Sequence, residues 1–212
     1  MALLPITTSA QLEERPGATD GAQRAFAAHI DAAAIAAVTN LYREVLPAGG
    51  AILDLMSGWV SHLPPEISYR RVVGLGTDPD ELAENAFLDE WRVQDLNRDP
   101  RLPFATAEFD GAALCAGVEH LTRPREVIRE VGRVLKPGAP FVLTFSNRCR
   151  PSRPIACWCL LDEASHLCLI ARDFVEAGNW SDIRCLDRTP PGGGAPLYAV
   201  LARGLGPSAP PE

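Results

Sequence analysis

The chain has 212 residues, 47% hydrophobic and 22% charged, a size and balance that suit one globular domain with a full core. Its formal net charge of −7 disfavours nonspecific binding to nucleic acid or to an anionic membrane surface, and no apolar run approaches the roughly 20 residues of a membrane span. A cytoplasmic setting is expected, because the first residues lack the basic and apolar regions of a signal peptide and the six cysteines, without paired C-x-x-C spacing, read as reduced thiols.

Residues 1–20 carry Pro5, Pro16 and Gly17 with little periodicity and are expected to form a mobile N-terminal arm. From Asp20, an N-cap candidate, apolar residues recur at helical spacing: Phe26, Ile30, Ala34, Ala37, Leu41 and Val45. Pro47 and Gly49-Gly50 end that helix. A strand follows at 51–56, where Ile52, Leu53 and Leu55 flank Asp54 ahead of a turn at Ser57-Gly58. Pro64-Pro65 then argues that any helix after this turn is very short or absent, since proline inside a helix costs about 3 kcal/mol or more.

Further strands are expected at 71–75, 91–96, 109–116 and 140–146, with a short helix at 78–85 that Pro79 starts. Val127, Ile128, Val131, Val134 and Leu135 lie on one face of a helix at 123–136, which Lys136-Pro137-Gly138 ends. A last helix at 162–177 stops at Gly178. Two final strands, 183–186 and 197–202, are joined by PPGGGAP, a loop that permits an antiparallel pair but no helical crossover. Residues 204–212 read as a disordered, Pro-rich tail, leaving one domain at 21–203. The expected architecture is α/β: a Rossmann-like, doubly wound sheet of seven strands, mostly parallel with a C-terminal antiparallel hairpin, and helices on both faces.

The order of elements with its final hairpin, FDGAALCAGVEHL from Phe109, EVIREVGRVLKPGAPFVLTFSN from Glu126, and Gln94-Asp95-Leu96 ahead of Leu102-Pro103-Phe104 together resemble the class I S-adenosylmethionine-dependent methyltransferases, most closely the small-molecule "type 11" group, over about residues 35–203. FDGAALCAGVEHL from Phe109 is similar to that family's fourth strand and its sequel. EVIREVGRVLKPGAPFVLTFSN from Glu126 is similar to the next helix, its K-P-G stop and the fifth strand. Gln94-Asp95-Leu96 ahead of Leu102-Pro103-Phe104 is similar to the third-strand acid and its L-P-F turn. The glycine loop departs from the family pattern of acid-x-Gly-x-Gly-x-Gly: Asp54 and Gly58 match, but Met56 and Val60 replace two glycines. Gly76 stands where the family has the acid that binds the ribose, with Asp78 two residues on.

The resemblance implies S-adenosylmethionine as cofactor, held by Asp54, Met56, Gly58, Gly76, Asp78, Asp95, Leu96 and Cys115. It places His120 as a candidate general base, and Glu119, Asn147 and Arg148 on the acceptor side. Each has a plainer role open to it: Asp54 as a loop-capping carboxylate, Asp95 as a turn cap, Asp78 as a helix start, His120 and Glu119 as packing or surface residues, Asn147-Arg148 as a solvated loop. Trp59, Trp158 and Trp180 suit either an apolar acceptor pocket or simple packing. Cys157-Trp158-Cys159 with His166 and Cys168 lacks the spacing of a tetrahedral zinc site, so no metal is expected. The implied partner is a small-molecule acceptor, without nucleic acid or membrane, and a homodimer is compatible with such a domain. The missing glycines leave a second reading open, a catalytically inactive methyltransferase-like fold serving as a binding or regulatory subunit. A dinucleotide cofactor fits poorly, because both the G-x-G-x-x-G turn and the helix N-terminus that would hold a pyrophosphate are missing.

Overall fold

In a computed structural model, which describes residues 30–146, 158 and 161–206, the chain forms seven strands and four α-helices. The strands are β1 (Ala51–Leu55), β2 (Arg71–Gly76), β3 (Glu90–Val93), β4 (Gly111–Cys115), β5 (Pro140–Phe145), β6 (Trp180–Asp187) and β7 (Tyr198–Gly204). The helices are α1 (Ala32–Val45), α2 (Pro79–Glu84), α3 (Pro124–Val134) and α4 (Glu163–Ala177). One sheet takes the order β3-β2-β1-β4-β5-β7-β6, parallel through β5 and antiparallel at β5/β7 and β7/β6. The sheet thus matches the expected architecture, with its strand order reversing between β1 and β4.

Period-2 alternation along the strands divides the core between the two faces. Leu53, Leu55, Val73, Leu75, Leu114, Phe141 and Phe145 pack with Val127, Ile128 and Val131 of α3 and Ile170 and Phe174 of α4. Ile52, Val72, Ala113 and Val142 point the other way, against Ala34, Val38, Leu41 and Tyr42 of α1. The same parity puts Asp54, Cys115 and Thr144 on the α1 side, at the carboxyl ends of their strands.

Helix starts follow capping chemistry. Asp31, Asp78 and Asp162 are N-caps whose carboxylates accept backbone N–H groups at Ala34, at Asp80 and Glu81, and at Ser165. Gly178 ends α4 in the left-handed conformation at φ 79°. The expected cap at Asp20 lies outside the described residues, and Asp31 is the cap of α1. Several strand boundaries are corrected, among them β6, which runs over Trp180–Asp187 rather than 183–186. β4 starts at Gly111, with Phe109 held in an isolated bridge to Leu135. β3 stops at Val93, so Asp95 and Leu96 sit in the following loop. β7 continues to Gly204, into what the sequence suggests is tail. The crossover from β1 to β2, residues 56–70, contains no helix, as the paired prolines require.

Candidate functional site

A cavity of about 980 Å³ opens at the carboxyl ends of β1, β2 and β4, where the strand order reverses. Ligands of open α/β sheets bind at such a switch point. Of the cofactor residues proposed from sequence, Asp54, Met56, Gly58, Gly76, Asp95, Leu96 and Cys115 line it, as does His120. Asp78 and Glu119 are not on its wall, and Asn147 and Arg148 lie outside the described residues.

Asp54, 7% exposed at the end of β1, organises the loop that follows. Its Oδ2 accepts hydrogen bonds from the hydroxyls of Ser57 (2.7 Å) and Ser61 (2.5 Å). The amide of Asn85, just past α2, donates to Gly58 O at 2.8 Å and to Ser61 Oγ at 3.0 Å. Burial pushes the Asp54 carboxyl above its ordinary value, and the two serine hydroxyls oppose that shift. The 56–61 loop is therefore clamped between β1 and α2 by side chains that lie 24 to 28 positions apart in sequence.

The loop also crosses the end of β2. Ser57 N donates to Leu75 O at 2.9 Å, and a Cβ built on Gly76 would lie 2.2 Å from the Ser57 carbonyl. Gly76 is thus required by the backbone passing over it, and the position cannot carry the family's carboxylate with the loop in this place. Met56 takes φ 53°, left-handed backbone that usually selects glycine, and its side chain packs on Gly117 after β4. Gly58 faces Glu81, where an added Cβ would come within 3.0 Å of Oε2.

The proposed ribose acid, Asp78, has its carboxylate at the N-cap of α2, accepting Asp80 N at 2.9 Å and Glu81 N at 3.2 Å. The acids that reach the cavity from this helix are Asp80, Glu81 and Glu84. The carboxylate of Asp95 accepts Asn97 N at 2.9 Å, and Asn97 bonds His120 O (2.9 Å), Thr122 N (2.8 Å) and the Thr122 hydroxyl (3.0 Å). That ties the loop after β3 to the short 3-10 turn Val118–His120, which carries His120 to the cavity wall. Glu119, on the same turn, keeps a buried Oε2 without a hydrogen bond, and burial raises its carboxyl. Cys115 is half-buried, and its thiol is pushed up to about 12 by burial above all, so it stays a neutral wall residue rather than a nucleophile.

Trp59 lines the cavity. Trp158 stacks on His166, and Trp180 packs on Phe141 and Phe174, so those two belong to the core. Of the residues weighed for zinc, Cys157 and Cys159 lie outside the described residues, and His166 Nε2 is 2.8 Å from Trp158 O. The acids of α2, the serine pair and Asn85 were not picked out from sequence. Their partners lie far along the chain, and only the sequence interval from Asp54 to Ser57 and Ser61 offered a local hint.

Residues 54–143 match the family described as "Methyltransferase domain". The chain has the class I S-adenosylmethionine-dependent methyltransferase fold. A ubiquinone/menaquinone biosynthesis C-methyltransferase (UbiE) of Chromobacterium violaceum is 28% identical over 114 residues, covering 52% of this chain and 46% of that protein. The chain thus spans less than half the length of the curated relatives it matches. An S-adenosylmethionine-dependent methyltransferase from Mesorhizobium loti superposes with a TM-score of 0.58 at 17% identity, over 79% of this chain and 97% of that one. A phosphoethanolamine N-methyltransferase of Haemonchus contortus, solved with S-adenosyl-L-methionine, gives 0.59 at 14% identity, over 80% of this chain and 52% of that one. S-adenosylmethionine is the cofactor that goes with this methyltransferase fold. No helix of the described residues is long and apolar enough to cross a membrane.

Proposed function

We propose that the chain binds S-adenosylmethionine in the β1/β4 cavity and transfers its methyl group to a small molecule. The observation that carries this reading is the charge of the cavity. Its described lining includes five carboxylates, Asp54, Asp80, Glu81, Glu84 and Asp95, and no lysine or arginine. Such a wall favours a cation and repels phosphate, which suits a sulfonium with an α-ammonium group and disfavours dinucleotides. The volume, about 980 Å³, is at the upper end of small-molecule sites and leaves room for an acceptor beside the cofactor.

Bound there, the cofactor supplies an electrophilic methyl group. The chain's own contribution is orientation and exclusion of water. Asp54 would receive the ammonium, at the clamped end of β1. The acids of α2 share the cavity wall with Gly76, and there they would meet the ribose hydroxyls in place of a carboxylate on β2. Ile30, Ile35, Trp59 and Val60 provide an apolar wall for the acceptor, and His120 stands where it could take a proton from it.

Calorimetric titration with S-adenosylmethionine and S-adenosylhomocysteine tests this. Binding tighter than about 100 µM, about −5.5 kcal/mol, is expected. Absence of heat or thermal shift at millimolar ligand would overturn it and favour a non-catalytic binding subunit.

A further inference from the structure

β3 forms one edge of the sheet. It bonds β2 on one side, and among the described residues no strand bonds its other side. Gln94 and Asp95, which follow it directly, line the cavity. Open strand edges invite pairing with another chain, and proteins commonly guard them with charge. β3 reads Glu-Trp-Arg-Val, with Trp91 37% and Val93 51% exposed. Both belong to the large apolar residues that the described chain leaves in water.

Two features limit how a second strand can sit there. The first is the direction of the backbone groups. Gln94 N donates to Gly76 O at 2.8 Å, in the register that sets Gly76 beside Val93. Alternation then turns the backbone of Arg92 and Glu90 towards β2, and that of Trp91 and Val93 outward. The Trp91 carbonyl accepts from Arg92 Nη1 at 2.9 Å, a side-chain bond to a group turned away from the ladder. The second feature is charge. Glu90 and Arg92 lie on one face of the sheet, level with Val73 and Leu75, while Trp91 and Val93 lie on the other, level with Gly74 and Gly76.

A second copy of β3, run antiparallel about a two-fold axis, must set outward groups against outward groups, so the axis passes through a residue of the strand. Centred on Glu90 or on Arg92, the strand sets like charges opposite each other, which destabilises a pair. Centred on Val93, it runs past its own end. Centred on Trp91, it sets Glu90 opposite Arg92 of the second copy and Arg92 opposite the second Glu90. The two Trp91 backbones exchange their N–H and C=O bonds, and Trp91 and Val93 of both copies make one apolar strip on the opposite face.

We propose that the β3 edge is a homodimer contact, with Trp91 on the two-fold axis and Glu90–Arg92 ion pairs on either side of it. The charges guard the edge against other strands and leave one self-complementary register open. A strand this short makes a weak dimer, so association is read across a range of concentration.

Sedimentation equilibrium is expected to show the mass rising from one chain towards two. Amide exchange at Trp91, whose N–H faces solvent in the monomer, is expected to slow over the same range. Glu90→Arg and Arg92→Glu each set like charges across the axis and are expected to weaken the dimer about tenfold or more. Mixed in equal amounts, the two variants set arginines opposite glutamates throughout and are expected to form a heterodimer at least as tight as the wild-type dimer. Thermal melts check that each variant is folded. A wild-type chain that stays monomeric at millimolar concentration, a dimer unmoved by both substitutions, or folded variants that do not associate when mixed would overturn the proposal. Trp91 exchange that does not respond to concentration overturns it without recourse to any variant.

Discussion

Asp54 shows at the scale of one residue how the site is set against stability. Its carboxylate is buried and takes hydroxyls for partners. Because burial holds its pKa above the ordinary carboxylate value of about 3.9, ionising it costs the folded state. The stability this group allows is full below that ordinary value and is lost as the pH rises through the raised one. Asp54→Asn escapes the penalty, so in denaturant melts it is expected to be more stable than wild type at pH 7, with the difference closing towards pH 3. An Asn variant that is less stable at pH 7 would mean that the two serine bonds outweigh desolvation. A charge kept at a cost to the fold is what a site for a cationic group requires.

At the scale of elements, the feature that defines the site is the loop from β1 lying over the end of β2. A Cβ at Gly76 would press into the Ser57 carbonyl at 2.2 Å, and backbone cannot yield there as a flexible side chain would. Gly76→Asp, which restores the family's acid, is accordingly expected to destabilise by roughly 1–3 kcal/mol. For a domain of this size that lowers Tm by about 2–4 °C per kcal/mol, and cofactor affinity should fall rather than rise. An unchanged Tm in a thermal melt would show that the loop moves aside freely. None of this was legible in the sequence, which showed only that a glycine replaces an acid. What was legible is local: the missing crossover helix follows from Pro64-Pro65, the α2 start from Asp78-Pro79, and the α4 stop from Gly178. The end of β3 was not, because Asp95 and Gln94 leave the strand to bond the turns at Asn97, Asp99 and Arg101. The clamp on the loop joins Asp54, Ser57 and Ser61 to Asn85, a long-range pairing to which hydropathy patterns are blind.

At the scale of the whole molecule, the net charge of −7 is not merely a matter of solubility, since five carboxylates converge on one cavity. Cavity walls of low dielectric focus such a field on whatever enters. S-adenosylmethionine carries one more positive charge than S-adenosylhomocysteine, while the rest of the two molecules differs by a methyl group. The protein is therefore expected to bind the sulfonium form more tightly at low ionic strength. The advantage should shrink as salt is raised, because the screening length falls from about 30 Å at 0.01 M to about 3 Å at 1 M. The part that survives at high salt reports on carboxylates close to the sulfur, and the part that disappears reports on the more distant acids of α2. Parallel calorimetric titrations of the two ligands across that range measure both parts. A ratio of affinities that favours the neutral product at every salt concentration would mean that the acidic wall does not face the sulfonium, and that the ligand lies in the cavity in another orientation.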